Sequence, residues 1–480
     1  MPFTRSRYDL KPGDVIDGFV LGDVHHTGGM AVLWNATHPD IEGKIIFKVP
    51  KIEDGDDATV IVGFEMEMMI LPRLKGSHVP RVHKVGDFAS TPYIAMEFVD
   101  GDTLFPMLDK SPMKPDDVIA LGRKIATALV DLHRQKVIHH DIKPSNLMLR
   151  RSGEIVFIDF GLSRHMELPD LLEAEFKIPM GTAPYISPEQ VRKNRSDPRS
   201  DIFSLGVLLY HFATGERPFG LPQSHQALKT RLWRDPVPPR RINKDITPVL
   251  QEIILRCLEP KAANRYPTAA RLAFALQNPE SVRLTARAEK MRRDDPVTLF
   301  RKWLKSRALP PVETHALPAA ATGIVMVAVD LDEDYHYLAE ALRLQVRRLI
   351  ATMSDVRIAC VNVIHLSSVF MNDPFDDQGR NVHIQRLVEL RDWAQPLAVA
   401  SDKISYHVLE NIDPAEAILD FAVNNHVDQI LMCARGSSNY RRFLGSVSSE
   451  VVARAPCTVT VVRAEAQGRE KQADRHETAT

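Results

Sequence analysis

Cysteine is scarce in these 480 residues. The four present, Cys257, Cys360, Cys433 and Cys457, lie so far apart that no pair has the spacing of a zinc knuckle or a redox motif. That excludes a disulfide-stapled scaffold and fits a reducing compartment. Excess charge of either sign is also missing. Lys and Arg number 61 against 62 Asp and Glu, a net charge of −1, so no global attraction draws the chain to nucleic acid or to a membrane surface. No run of 18 apolar residues is present to span a bilayer. The opening stretch MPFTRSRYDLKPGD lacks the apolar core of a signal peptide, and neither internal repeats nor low-complexity tracts occur. The expectation is a cytoplasmic protein of two or three domains with no membrane and no nucleic-acid partner.

What is present falls into regions. After a lead-in over residues 1–17, short β-branched runs come first and long helical periods follow, over residues 18–276. Residues 277–320 form a charged stretch that opens helically (RLTARAEKMRR, VTLFRKWLKS) and ends in Pro310, Pro311 and Pro318. It reads as a linker whose basic residues line a solvated helix face. Residues 321–465 then alternate. IVMVAVDL is a strand, and HYLAEALRLQVRRLIATM is a helix with Leu338, Leu342, Val346 and Leu349 on one face. VRIACVNVI, ISYHVLE, VDQILMC and CTVTVVR are further strands with helical stretches between them. Continuously apolar strands separated by amphipathic helices predict an α/β doubly wound parallel sheet. A polar tail, 466–480, closes the chain.

The chemistry concentrates in HHDIKPSNLML and FIDFGLS. Moving a phosphoryl group from ATP to a hydroxyl asks for a carboxylate to orient the hydroxyl, oxygen ligands for a metal at the phosphates, and positive charge on the transferred group. Asp141 offers the carboxylate and Lys143 the charge, while Asn146 and Asp159 are hard oxygen donors suited to Mg²⁺. Asp-x-Lys-x-x-Asn with Asp-Phe-Gly starting 13 residues after the asparagine resembles the catalytic and metal loops of the eukaryotic-like serine/threonine protein kinases of bacteria. The resemblance runs from residue 18 to about 276 and implies an α+β bilobal protein kinase fold, ATP and Mg²⁺ as cofactors, and protein substrates. It implies that Lys48, in IIFK, reaches the α- and β-phosphates and that Glu67 is its partner. Met96 precedes the hinge, Glu97 to Val99 present backbone to adenine, and Met148 lies under the base. GTAPYISPE resembles the substrate-binding loop and its Ala-Pro-Glu end, with Ser187 in place of the alanine. Glu189 is implied to pair with Arg265, and Asp201 to brace the catalytic loop. Lys143 and Gly181-Thr182 favour serine and threonine over tyrosine as acceptors.

Two departures stand out. The phosphate-covering loop of the family reads Gly-x-Gly-x-x-Gly-x-Val, because backbone must approach phosphates without a Cβ in the way. Here Gly28 and Gly29 keep the centre and Leu33 takes the place of the valine, all three still assigned to the nucleotide. His26 and Ala31 replace the outer glycines. The second departure is His140, where the family carries an arginine that grips a phosphorylated activation loop. The stretch from Arg164 to Gly181 holds no Ser, Thr or Tyr but carries Glu167, Asp170, Glu173 and Glu175. Activity is therefore expected not to depend on phosphorylation there.

The end of the chain, LMCARGSSNYRRFLGSVSSEVVARAPCTVTVVR, resembles the universal stress protein family. There a glycine loop after the fourth strand leads into a helix whose N-terminus suits phosphate. Gly436, Gly445, Ser446 and Ser448 fit that loop, with Arg441 and Arg442 nearby, and Asp330 matches the family's aspartate beside adenosine. Cys433 replaces the first glycine, eight residues separate Gly436 from Gly445, and Leu366 to Lys403 reads as an insertion. The resemblance implies a domain that senses stress or nucleotide, or that pairs with a second copy of the chain. The competing reading is a binding module: a kinase-like scaffold, disabled at His26, that presents the stress domain.

Overall fold

The β-branched runs at the start do form strands, and they curl into one antiparallel sheet. The structure is a computed structural model that describes residues 10–51, 58–88, 90–172, 181–307, 323–332, 335–353, 356–366, 376, 381–400, 403–434 and 445–463. The chain divides into two compact units, Met1–Ala316 and Leu317–Thr480. Among the described residues no helix is long and apolar enough to cross a membrane.

In the first unit, β1 (Val15–Ile16), β2 (Phe19–Thr27), β3 (Ala31–His38), β4 (Ile41–Pro50), β5 (Val82–Val85) and β6 (Ile94–Glu97) pair in the order β1-β2-β3-β4-β6-β5. One face buries Phe19, Leu21, Trp34, Phe47 and Tyr93. Helix α1 (Ala58–Ile70) is apolar nearly all round, so it sinks into the lobe instead of lying on it, with Ile61, Val62, Met66 and Ile70 buried. That is why a glutamate on its surface, Glu67, is buried too.

The second lobe is built on helices. Helix α2 (Pro115–Arg134) has Asp116 and Asp117 in its first turn, where the helix dipole favours them, and turns Val118, Leu121, Ile125, Leu129 and Leu132 inward. Strands β7 (Gly101–Thr103), β8 (Val137–Ile138), β9 (Leu147–Arg150), β10 (Ile155–Phe157) and β11 (Arg164–His165) form two small sheets that carry the loops of interest. Short helix α3 (Pro188–Val191) begins at Ser187, whose hydroxyl accepts from Gln190 N while the Gln190 side chain accepts from Ser187 N. The family's alanine has thus become a capping box. Helix α4 (Arg199–Thr214) is buried from Ser200 onward and ends at Gly215 with φ of 74°, a left-handed C-cap that glycine adopts without a Cβ clash. Glu189 and Arg265 meet in a buried two-point ion pair, 2.8 and 2.9 Å. Removing one partner of such a pair costs about 3–5 kcal/mol.

The expected linker does not hang free. Helix α5 (Pro248–Cys257) presents Gln251, whose Nε2 donates to the carbonyls of Arg287, Ala288 and Lys290 at 2.8–3.0 Å. Helix α6 (Ala269–Gln277) packs on α2, and α7 (Pro296–Arg307) follows. Lys290 and Lys302 each bridge Asp235 and Asp294, all four contacts at 2.7–2.8 Å. Lys290, Asp294 and Lys302, which look like linker in sequence, are paired to one another and to Asp235 of the lobe.

The second unit is a five-stranded parallel sheet in the order β14-β13-β12-β15-β16, from β12 (Gly323–Ala328), β13 (Val356–His365), β14 (Ile404–Asn411), β15 (Gln429–Cys433) and β16 (Thr458–Val462). The expected doubly wound sheet is present. Helices α8 (His336–Thr352) and α9 (Val382–Ala394) cover one face with Leu342, Val346, Leu390 and Trp393. Helices α10 (Pro414–Asn424) and α11 (Ser446–Arg454) cover the other with Ile418, Phe421 and Val451. The stretch Leu366 to Lys403, expected as an insertion, corrects to a necessary part: it contains α9, the crossover that parallel neighbours β13 and β14 require.

Candidate active site

The antiparallel register of β3 and β4 sets Lys48 opposite Leu33, and β4 against β6 sets it opposite Ile94. From there Lys48 Nζ reaches Glu67 Oε1 and Oε2 at 2.8 and 2.6 Å, and Asp159 Oδ1 at 3.6 Å. Burial alone would lower the lysine's pKa; the Glu67 and Asp159 carboxylates outweigh it and hold the ammonium above its ordinary value. Burial also works against charge on Asp159, yet the Lys48 and Lys143 cations hold its carboxyl below the ordinary value. A charged lysine and an ionised aspartate therefore face the same space at neutral pH, and the Asp159 side chain is 45% exposed to it.

The catalytic loop is held in an unusual backbone form. His140 and Asp159 both have positive φ, 63° and 67°, a conformation that costs about 1–3 kcal/mol and persists only where surroundings impose it. At His140 the surroundings are explicit. Asp201, buried in the first turn of α4, accepts from the amides of His139 and His140 at 2.9 Å each and pairs with His133 Nε2 at 2.9 Å.

The result is a tight knot beside Asp141. Asp141 Oδ2 receives Asn146 Nδ2 at 2.9 Å and pairs with Lys143 Nζ at 2.7 Å. Its Oδ1 receives the Thr182 amide at 3.0 Å and the Thr182 hydroxyl at 2.9 Å, and Lys143 donates to that same hydroxyl at 2.9 Å. Ile158 N donates to Asn146 O at 3.0 Å, tying the metal-loop side to the catalytic side. The structure thus brings together Lys48, Glu67, Asp141, Lys143, Asn146 and Asp159. In sequence Thr182 marks only the acceptor class; its contacts with Asp141 and Lys143 come from the structure, although its place in GTAPY was the available signal.

Gly28 and Gly29 form the β2–β3 turn, where Gly28 N donates to Ala31 O at 2.9 Å. His26 is an exposed strand residue paired with Leu33, with no positive φ. Nothing in that backbone calls for glycine. Glu97 ends β6, its carboxylate paired with Arg150 at 2.5 Å, and Val99 is buried just beyond. Met148 stands on β9 opposite Thr103 and Val156.

In the second unit, a cleft of about 610 Å³ opens at the C-terminal ends of β12, β13 and β15, where doubly wound sheets bind ligands. Asp330, Asn362, Arg386, Cys433, Gly445, Ser446 and Ser448 line it. Gly445 caps α11, and Ser448 Oγ donates back to Gly445 O at 3.1 Å. Asn362, absent from the sequence reading, donates to Val329 O at 2.9 Å and fixes the strand end beside Asp330. Gly436, Arg441 and Arg442 lie outside the described residues.

A family model for the protein kinase domain matches residues 27–275, just over half of the chain. The chain belongs to the protein kinase family. A second model, the universal stress protein family, matches residues 322–463, so a stress protein domain follows the kinase domain. Among curated proteins the chain is similar to serine/threonine-protein kinase PknB of Mycolicibacterium smegmatis, 31% identical over 290 residues, which are 58% of this chain and 46% of that protein. A probable serine/threonine-protein kinase of Clostridium perfringens is 30% identical over 276 residues, 57% of this chain and 38% of that protein. The chain spans less than half the length of these two relatives. Of solved structures, the kinase domain of Mycobacterium tuberculosis PknI is 23% identical with a TM-score of 0.44, covering 56% of this chain and 99% of that one.

Proposed function

We propose that this chain is a serine/threonine protein kinase that transfers the γ-phosphoryl group of ATP to protein hydroxyls. The observation that carries the reading is the convergence of Asp141, Lys143, Asn146 and Thr182 within hydrogen-bonding distance, next to a Lys48 joined to both Glu67 and Asp159. Asp141 orients the incoming hydroxyl and takes its proton; in this structure its Oδ1 already holds a threonine hydroxyl, the chemical group a substrate would offer. Lys143 supplies positive charge to the transferred group and Lys48 to the α- and β-phosphates, held in place by Glu67. The backbone at Gly28 and Gly29 covers the phosphates. Glu97 and Val99 present backbone to adenine, with Leu33 and Met148 on its two faces.

Mg²⁺ is the proposed metal. Asn146 and Asp159 are hard oxygen donors of the kind Mg²⁺ takes alongside phosphates, and the depressed pKa of Asp159 keeps it ionised for that use. When bound, the metal offsets charge on the phosphate oxygens.

The scaffold reading rested on His26. Its exposed side chain and ordinary strand backbone favour an active enzyme. For the stress domain we propose a second nucleotide site in the cleft at Asp330, Gly445 and Ser446, together with Gly436, and self-pairing of the chain through this domain. The proposed boundaries are 18–276 for the kinase domain, 277–320 for the connecting segment and 321–465 for the stress domain, in a protein of the cytoplasm.

The test is incubation with γ-labelled ATP, Mg²⁺ and a basic carrier protein, followed by hydrolysis to phosphoamino acids. Label on serine or threonine supports the reading. Label on tyrosine alone contradicts the acceptor class, and no label contradicts the activity.

A further inference from the structure

The activation segment carries a buried ion pair for which the proposed chemistry has no use. Asp170, six residues after Arg164, and Arg195, four residues after α3, are both without exposed side-chain surface. Arg195 Nε donates to Asp170 Oδ2 at 2.5 Å. Its Nη2 donates to the carbonyls of Leu162 and Ser163 at 3.0 and 3.3 Å, just past Asp159-Phe160-Gly161. Arg164 stands 3.9 Å from the same Asp170 oxygen. The Arg195 carbonyl in turn lies 2.8 Å from His140 Nε2. A carbonyl only accepts, so that nitrogen carries the proton.

One residue therefore touches three parts of the site. Its guanidinium fixes the end of the metal loop and the activation segment, and its carbonyl fixes the ring next to Asp141. Buried ion pairs contribute little net stability against apolar replacements, because desolvation offsets their attraction. Their best-attested use is to select one arrangement over its alternatives. Here the selected arrangement aligns Asp141 with Asp159. Burial would raise the Asp170 pKa, but Arg195 and Arg164 outweigh it and keep the carboxyl below its ordinary value, so the clamp is charged at neutral pH.

We propose that Arg195 is a positioning residue and Asp170 its permanent anion, a built-in clamp that keeps the catalytic and metal loops in register without a phosphate on the activation segment. The inference rests on the kinase reading above. It sharpens the sequence expectation, which spread the negative charge over Glu167, Asp170, Glu173 and Glu175. Glu173 and Glu175 lie outside the described residues.

The test uses the full chain. Wild type treated with a broad phosphatase is expected to keep its rate within about twofold, since no phosphate is required. Asp170→Asn, nearly the same shape without the charge, should lower kcat at least about tenfold with the Kd for ATP within about threefold, because misalignment acts on the transfer step. Asp170→Glu should recover part of that loss. Arg195→Gln should match Asp170→Asn, and the double variant should lose no more than the worse single one, as coupled partners do. The proposal is overturned by phosphatase inactivation of wild type, by wild-type kcat in folded single variants, or by losses that multiply as if independent. Should the variants not fold, the phosphatase result alone decides. Hydrogen exchange of residues 159–172 reads the clamp without any activity. Faster exchange in Asp170→Asn than in wild type supports the clamp even where no phosphate is transferred, and equal exchange opposes it. The kinase reading and the clamp can thus fail separately.

Discussion

Single residues in this chain do their work through what surrounds them. Lys48 stays charged while buried because two carboxylates face it, and Asp159 stays ionised because two lysines do. His407 shows the opposite case. It is buried in the stress domain against Phe421, with Ser405 Oγ 2.7 Å from its Nε2, and burial pushes its pKa down to about 3. An unfolded chain takes up this proton near pH 6.5 and the folded domain does not until about pH 3. The stability that the neutral ring contributes is thus fully present above 6.5 and is lost as pH falls from there. The loss is on the order of 1.4 kcal/mol per pH unit. Melting the full chain at pH 7.5 and 5.5 should lower the Tm of the stress domain, and His407→Gln should shrink that drop. An unchanged drop in the variant would contradict the assignment.

At the scale of elements, pattern and pairing divide the credit. Continuously apolar runs in IVMVAVDL, VRIACVNVI and VDQILMC, set between amphipathic helices, made the parallel sheet legible, since strands buried on both faces take apolar residues at nearly every position. The same reasoning failed for α9. Its apolar residues sit in a stretch that also holds Arg386, Glu389, Arg391 and Asp392, and the polar run before it hid the Asn381 cap. The contacts of the segment after α6 were hidden for a related reason. Lys290, Lys302 and Asp294 look solvated in sequence and are paired in space with one another and with Asp235, which lies 55 residues from Lys290 and 67 from Lys302, separations no local pattern reports. In the candidate active site, the grouping of Asp141, Asn146 and Asp159 was legible because the proposed metal and hydroxyl chemistry asks for those residue types at that spacing. The Asp170–Arg195 contact was not, since nothing local links two residues 25 apart. An expectation at this scale concerns α7. Lys302→Ala should speed proteolysis within Pro296–Arg307 while the unfolding free energy of the kinase domain falls by no more than what an outer ion pair contributes, about 1 kcal/mol or less. Unchanged cleavage would mean that the four-charge network does not hold the helix.

At the scale of the whole molecule, each of the two units carries a site proposed for nucleotide. The kinase unit has its full constellation within residues 28–182, and the stress unit has a cleft at the carboxyl ends of its strands. Calorimetry is expected to give two equivalents of ATP per full-length chain. Asp330→Ala should remove one of them and leave phosphoryl transfer in place. A single equivalent, unchanged by Asp330→Ala, would assign the stress domain a role without nucleotide.

Asp141 is proposed to serve the transfer step and not the binding of ATP. The measurement is Mg²⁺-dependent transfer of the γ-phosphoryl group by wild type beside Asp141→Asn, with ATP affinity determined on both proteins. Equal affinity within about threefold is expected, with a fall in transfer rate of about 10²–10⁴, the range of general acid–base catalysis. A wild type that binds ATP and transfers nothing, or an Asp141→Asn variant that transfers at the wild-type rate, would contradict it.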